Sequence, residues 1–197
     1  MTIAVVDSGG ANLGSVVQAL NRLGVEGVLT RDAAAIRQAS HVILPGVGAA
    51  AWSMNALAEH GLVDVIRGLT QPVLGICLGL QLLFESSEEG DTPCLGILPG
   101  RVRRLETGPG LRLPHMGWNR LDWRVADPLA AGLDGGEWFY FVHSFAAPAE
   151  NAVATSRHGR EFAAIVRRDN FAACQFHPEK SAGPGQRILR NFLENPA

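Results

Sequence analysis

The sequence predicts an α/β domain, a central, mostly parallel sheet with helices on both faces and additional antiparallel strands beside it. Two textures along the chain carry this reading. Over the first two thirds, short apolar runs alternate with segments of helical periodicity; from about Gly96 onward, β-type runs follow one another between turns rich in Gly, Pro and Asp. No internal repeat, low-complexity stretch or linker interrupts the 197 residues, so a single domain is expected over 1–197, within the usual domain size of about 100–200 residues.

Taken in order, residues 3–7 form a short β-branched run that stops at Ser8-Gly9-Gly10. Residues 13–23 place Leu13, Val16, Val17, Leu20 and Leu23 at helical spacing, behind Asn12 as N-cap and before Gly24 as C-terminal cap. A second strand is expected over 25–30, a short helix over 31–39 and a third strand over 41–44, broken by Pro45-Gly46. Residues 52–69 read as one helix, 73–76 as a buried strand and 78–85 as a further helix. Beyond Gly96, strands are expected over 101–105, 137–142, 152–157, 162–167 and 171–175, with a closing helix over 186–193.

Composition excludes several classes of function. At 47% hydrophobic and 18% charged residues, the chain can fill a core and is unlike a disordered one. A formal charge of −2 gives no general electrostatic reason to bind nucleic acid or an anionic membrane. Three cysteines, Cys77, Cys94 and Cys174, are an odd number without metal-type spacing and fit the reduced thiols of a cytoplasmic protein. The N-terminus lacks a basic lead, which makes it a strand rather than a secretion signal, and no stretch approaches the ~20 apolar residues of a membrane span. His41, His60 and His158 lack the company that a metal site needs, so no metal is expected.

The sharpest motif is Gly75-Ile-Cys77-Leu-Gly79-Leu-Gln81 behind a buried strand. Glycines two before and two after a cysteine, at a strand-to-helix turn, have the pattern of a nucleophile elbow. The small residues let the turn pack, the helix start favours the thiolate, and the Leu78 amide can donate to an oxyanion. Taken alone, the motif fits a buried core cysteine equally well. Near the other end, Phe176-His177-Pro178-Glu179 closes an apolar strand. Glu179 could fold back onto the imidazole and set its tautomer, leaving the other nitrogen as base. A surface turn is the alternative. A third strand end, Pro45-Gly46-Val47-Gly48, could face its amides to an oxyanion, or it is an ordinary Pro-Gly turn. Arg101, Arg103 and Arg104 form a local positive patch that reads as a solvated strand face.

Together, G-I-C-L-G-L-Q, P-G-V-G and F-H-P-E-K resemble the class I, triad-type glutamine amidotransferases, whose fold is flavodoxin-like. Three further segments, 114–119 (P-H-M-G-W-N), 140–144 (Y-F-V-H-S) and 175–181 (Q-F-H-P-E-K-S), are similar to the branch of that family formed by glutaminase subunits of imidazole glycerol phosphate synthases. The resemblance spans residues 3–193. It implies a catalytic triad of Cys77, His177 and Glu179 and an oxyanion hole from the amides of Val47 and Leu78. It implies a glutamine pocket bordered by Gly46, Gly48, Gln81, Glu89, His143, Ser144 and Phe145. Gln81 lies one helical turn beyond Cys77 and Glu89 could pair with the substrate ammonium; both could instead end a solvated helix. His115, Trp118 and Asn119 read as a compact loop facing a partner or as a turn packed by Trp118, and Asn12, Met116, Trp118 and Lys180 as the face toward that partner. That partner, on the same resemblance, is a TIM-barrel cyclase subunit forming a heterodimer. It receives the ammonia and makes imidazole glycerol phosphate and an aminoimidazole carboxamide ribotide for histidine biosynthesis, with no cofactor on this chain. Two departures stand out. Phe145 replaces the family's usual tyrosine, and the loop of residues 7–13, D-S-G-G-A-N-L, lacks its usual aromatic and one glycine.

A glutaminase serving pyridoxal phosphate synthesis is disfavoured by 114–119 and 140–144. A flavodoxin-like cysteine hydrolase or chaperone would place histidine directly after the cysteine, where Leu78 stands. A non-enzymatic regulatory subunit is disfavoured by the intact Cys, His and Glu set.

Overall fold

In order, the chain forms β1 (Ile3–Val6), α1 (Leu13–Arg22), β2 (Gly27–Thr30), α2 (Ala33–Gln38), β3 (His41–Gly46), α3 (Ala50–Glu59), α4 (Leu62–Arg67), β4 (Val73–Cys77) and α5 (Leu78–Leu82). It continues with β5 (Phe84–Ser87), β6 (Thr92–Pro93), β7 (Leu98–Arg104), β8 (His115–Arg120), β9 (Asp122–Trp123), β10 (Trp138–His143) and β11 (Phe145–Ala146). β12 (Ala154–His158), β13 (Arg160–Arg168), β14 (Phe171–Cys174) and α6 (Ala182–Glu194) complete it, with short 3₁₀ turns at Glu89–Asp91, Pro128–Ala130 and Pro178–Lys180. This is a computed structural model, and it describes residues 1–9, 13–150 and 152–194.

The main sheet has the order β2-β1-β3-β4-β14-β13-β12-β9. From β2 to β14 the neighbours are parallel, and β13, β12 and β9 extend the sheet antiparallel. Strands β1, β3, β4 and β14 are buried at every position, as strands covered on both faces must be. Successive side chains divide between two cores. Ala4, Val6, Val42 and Leu44 meet Ile36, Leu57, Leu62 and Ile66 on one face. Ile3, Val5, Ile43, Leu74 and Ile76 meet Val16, Leu20, Phe141, Ile188 and Phe192 on the other. The predicted α/β architecture is therefore the observed one. Two smaller sheets stand beside it, β11-β7-β5-β6 and the antiparallel ribbon β10-β8.

Three expectations need correction. The single helix over 52–69 is two, because Gly61 adopts φ +64° and ends the first. That left-handed residue turns the chain so that Leu62, Val65 and Ile66 reach the core. The helix over 78–85 stops at Leu82, where β5 takes over. The carbonyls of Leu82, Leu83 and Phe84 accept hydrogen bonds from the amides of Leu95, Ile97 and Gly96, so tertiary pairing claims groups that a longer helix would have left unpaired. The loop expected at 115–119 is strand β8, paired with β10 from His115↔His143 to Arg120↔Trp138. The short strands β6, β9 and β11 have no counterpart among the elements expected from the sequence; the other differences are at element ends, as in α6, which begins four residues early. Asn12 lies outside the described residues. Among those described, no helix is long and apolar enough to cross a membrane.

Candidate active site

The C-terminal edges of β3, β4 and β14 meet at one place, the edge where open α/β sheets carry their sites. Cys77 ends β4 and adopts φ 55° and ψ −107°, a conformation that costs a non-glycine residue about 1–3 kcal/mol and recurs at functional turns. The turn exists because its neighbours lack side chains. A Cβ on Gly79 would lie 1.8 Å from the Leu44 carbonyl oxygen, and one on Gly75 would lie 2.9 Å from that of Gly79. α5 then begins at Leu78 but has only five residues, so its dipole is that of little more than one turn.

His177 follows β14. Its backbone N–H donates to the Tyr140 carbonyl at 2.9 Å, and the Ser181 hydroxyl donates to its carbonyl at 2.7 Å, which pins the residue on both sides. Pro178 opens the 3₁₀ turn that carries Glu179, and Glu179 Oε1 lies 2.7 Å from His177 Nδ1 with both side chains almost fully buried. A carboxylate only accepts, so Nδ1 carries the hydrogen. Among the described residues, His177 Nε2 and Glu179 Oε2 are buried without a partner in hydrogen-bonding geometry, and the Cys77 sulfur acts on His177 chiefly through its charge. Burial opposes charge on the imidazole, yet the adjacent Cys77 sulfur and Glu179 carboxylate outweigh it and raise the His177 pKa to about 10.

Beside Cys77 and His177 lies a cavity of about 290 Å³, large enough for a small amino acid. Val47 and Gly48 border it from the end of β3, Leu78 and Gln81 from α5, and Glu89 from its 3₁₀ turn. Pro114 and residues Val142, His143, Ser144 and Phe145 close the far wall. Most residues expected around a substrate are therefore brought together. Gly46 stands apart, pairing with Cys77 in the sheet and lining a small crevice behind His177 and Glu179. A Cβ there would lie 2.9 Å from Leu78 Cβ, so its smallness serves packing. Glu89 Oε2 accepts from the Ala50 N–H at 2.7 Å and thus caps α3, leaving Oε1 for a ligand. Gln81 is buried; its Nε2 donates to the Phe145 carbonyl at 2.8 Å and to Gln175 Oε1 at 3.0 Å. Phe145 serves that contact through its backbone, whatever its side chain.

The far wall is held by a histidine chain. His143 Nδ1 donates to the Phe145 carbonyl at 2.8 Å, so its Nε2 accepts from His115 Nδ1 at 3.0 Å. His115 Nε2 then accepts from Asn119 Nδ2 at 3.4 Å, a group that also donates to the Arg157 carbonyl. His115 stacks on His158 at 4.3 Å between centroids. Burial lowers the His143 pKa to about 3 and that of His115 to about 4, with the neighbouring imidazoles adding to the effect. Outside the cavity, the outer face of the ribbon exposes Met116, Trp118 and Trp138. Arg120 lies over the Trp138 ring at 4.7 Å, and Lys180 is exposed at the end of its 3₁₀ turn.

Sequence reasoning missed Gln175, Val142 and Trp138. Gln175 had a signal, an amide among apolar residues at the end of a buried strand, where an unpaired polar group would be costly. Trp138 had one too, since W-F-Y-F-V-H is apolar on both faces of a strand. Val142 acts through its carbonyl, which lies 3.8 Å from Cys77 Sγ, and no side-chain pattern announces that.

Residues 4–195 match the glutamine amidotransferase class-I family. Over 196 residues the chain is 56% identical to imidazole glycerol phosphate synthase subunit HisH of Xylella fastidiosa strain Temecula1, covering 99% of this chain and 98% of that protein. It is 53% identical over 192 residues to imidazole glycerol phosphate synthase subunit HisH 2 of Legionella pneumophila strain Philadelphia 1, covering 97% and 96%. Among solved structures, one described as a glutamine amidotransferase superposes with a TM-score of 0.74 at 25% identity, over 98% of this chain and 97% of that one. A glutamine amidotransferase from Thermotoga maritima superposes at 0.69 with 17% identity, over 98% and 96%.

Proposed function

The chain belongs to the class-I glutamine amidotransferases, and we propose that Cys77, His177 and Glu179 are its catalytic triad and that it is the glutaminase subunit of an imidazole glycerol phosphate synthase. One observation carries the chemistry: a cysteine on a strained elbow and a carboxylate-bound histidine border the same cavity. The relatives at 53–56% identity carry the pathway.

Cys77 thiolate attacks the side-chain amide carbonyl of glutamine, and the amides of Val47 and Leu78 receive the oxyanion. His177, charged and held by Glu179, protonates the departing ammonia, then takes a proton from the water that releases glutamate from the thioester. Glu89 Oε1, which is not used in capping α3, receives the substrate ammonium. The ammonia passes to a cyclase subunit, for which the exposed residues Met116 and Trp118 of the ribbon, together with the exposed Lys180, form the docking side.

The test is glutamate release by the purified chain, alone and with the cyclase subunit and its nucleotide ligand. Strong stimulation by that subunit is expected. Cys77→Ala should abolish glutamine-dependent turnover and leave turnover with ammonium salts intact. Glutamine use persisting in that variant would refute the triad, and stimulation absent with a folded pair would refute the pathway.

A further inference from the structure

We infer that Gln175 is a further catalytic residue of this site: its side-chain amide is the donor that faces the Cys77 sulfur and stabilises it as a thiolate. The inference rests on Cys77 being the nucleophile.

Strand pairing puts the two residues side by side. β14 runs parallel to β4 with Cys174 opposite Ile76, so the next position along, Gln175, comes level with Cys77. Gln175 is fully buried, where an amide must be paired. Its Nε2 lies 3.7 Å from Cys77 Sγ.

The orientation of that amide follows from its neighbours. The Phe145 carbonyl can only accept, so the Gln81 atom 2.8 Å away is the nitrogen Nε2. The same nitrogen lies 3.0 Å from Gln175, so the Gln175 atom there is the oxygen. The other end of Gln175, which faces the sulfur, is then the NH₂ group. The Phe145 carbonyl also receives His143 Nδ1, which uses both of its lone pairs and holds the chain Phe145–Gln81–Gln175–Cys77 in one arrangement.

A neutral thiol is a weak acceptor and a thiolate a strong one. The donor at Gln175 therefore favours the charged sulfur. On another side, the Val142 carbonyl at 3.8 Å accepts from the thiol S–H and favours the neutral form; the Gln175 donor opposes it, alongside the charge of His177. Gln175 does not border the cavity, and its effect falls on the reactivity of the sulfur rather than on substrate binding.

The experiment is the pH dependence of Cys77 alkylation by iodoacetamide on the full chain, read by mass spectrometry of the Cys77 peptide. Gln175→Met keeps the volume and removes the donor. Gln175→Glu keeps an acceptor for Gln81 and sets an oxygen against the sulfur. The midpoint should rise by about one pH unit in Gln175→Met, the scale of one hydrogen bond to a charged group, and further in Gln175→Glu. With the cyclase subunit present, Gln175→Met should lower kcat about tenfold with KM within about twofold. An unmoved midpoint in either folded variant overturns the inference. If both variants fail to fold, the unmodified chain decides: the Gln175 side-chain amide protons should titrate at the alkylation midpoint in NMR spectra and stay still in Cys77→Ala, and amide protons indifferent to pH overturn it. Failure of the triad itself would show separately, as glutaminase activity retained by Cys77→Ala.

Discussion

The edge of the parallel sheet and the β8–β10 ribbon each bring one buried histidine to the same cavity, His177 from the first and His143 from the second. Burial pulls both pKa values down, yet His177 is raised to about 10 and His143 lowered to about 3. Depth does not separate them; company does. His177 faces the Cys77 sulfur and the Glu179 carboxylate. His143 faces the imidazoles of His115, His158 and His177, and only the Phe145 carbonyl favours its charge. The sheet edge therefore favours a charged imidazole. The ribbon is built for neutrality, which lets each imidazole donate through one nitrogen and accept through the other.

Glu179→Gln attacks the comparison at its strongest point. Without the carboxylate, His177 loses one of its two charge partners and the ionised acceptor that fixes its tautomer, and glutamine-dependent kcat should fall about 10²–10⁴-fold. Steady-state glutaminase assays with the cyclase subunit measure it, and an unchanged kcat would mean that His177 needs no such company. Trp118→Ala addresses the outer side of the ribbon. Exposed aromatic anchors at interfaces are worth about 2 kcal/mol or more, so affinity for the cyclase subunit should fall about 30-fold by calorimetry, while a change under twofold would remove Trp118 from the docking face.

His143→Leu tests the inner side. It strips one donor from the Phe145 carbonyl and leaves His115 Nδ1 unpaired, and kcat/KM should drop roughly tenfold. The smallest effect is on stability against pH. His115 and His143 titrate near 4 and 3 in the folded chain but near 6.5 when unfolded. The unfolded state therefore binds protons first, and stability present above pH 6.5 is lost as pH falls toward 4 and 3. For His177 the direction reverses: its contribution is full below pH 6.5 and is lost as pH rises toward 10. Tm should crest near pH 6.5 and decline on either side, the acid limb reading the two ribbon histidines and the alkaline limb His177. A flat acid limb would show that the ribbon histidines are not held neutral.

Much of this was legible along the chain. The apolar stretches at 3–6 and 73–76 are buried strands because continuous apolar sequence needs cover on both faces. The spacing of Gly75, Cys77 and Gly79 announced an elbow, since a Cβ at Gly79 would overlap the Leu44 carbonyl. Where the reading failed, a non-local partner had outbid a local preference. Residues 84–87 have no strong strand pattern, and they become β5 because β7 lies alongside to pair with them. The segment 115–119 looked like a loop because Gly117 and a lone Pro114 break its pattern, yet β10 completes it as a strand.

Sequence alone determined the identity and order of the groups proposed to do the chemistry, because thiol, imidazole and carboxylate are properties of residues and the turns that present them are local. Tertiary structure decided their states. The charge on His177, the neutrality of His143, the direction in which Gln175 points and the exposure of Trp118 and Trp138 all depend on atoms distant in the chain. Electrostatic and hydrogen-bond energies follow distance in space, and residues as far apart as Gln81 and Gln175, 3.0 Å from each other across 94 positions, are brought together only by the fold.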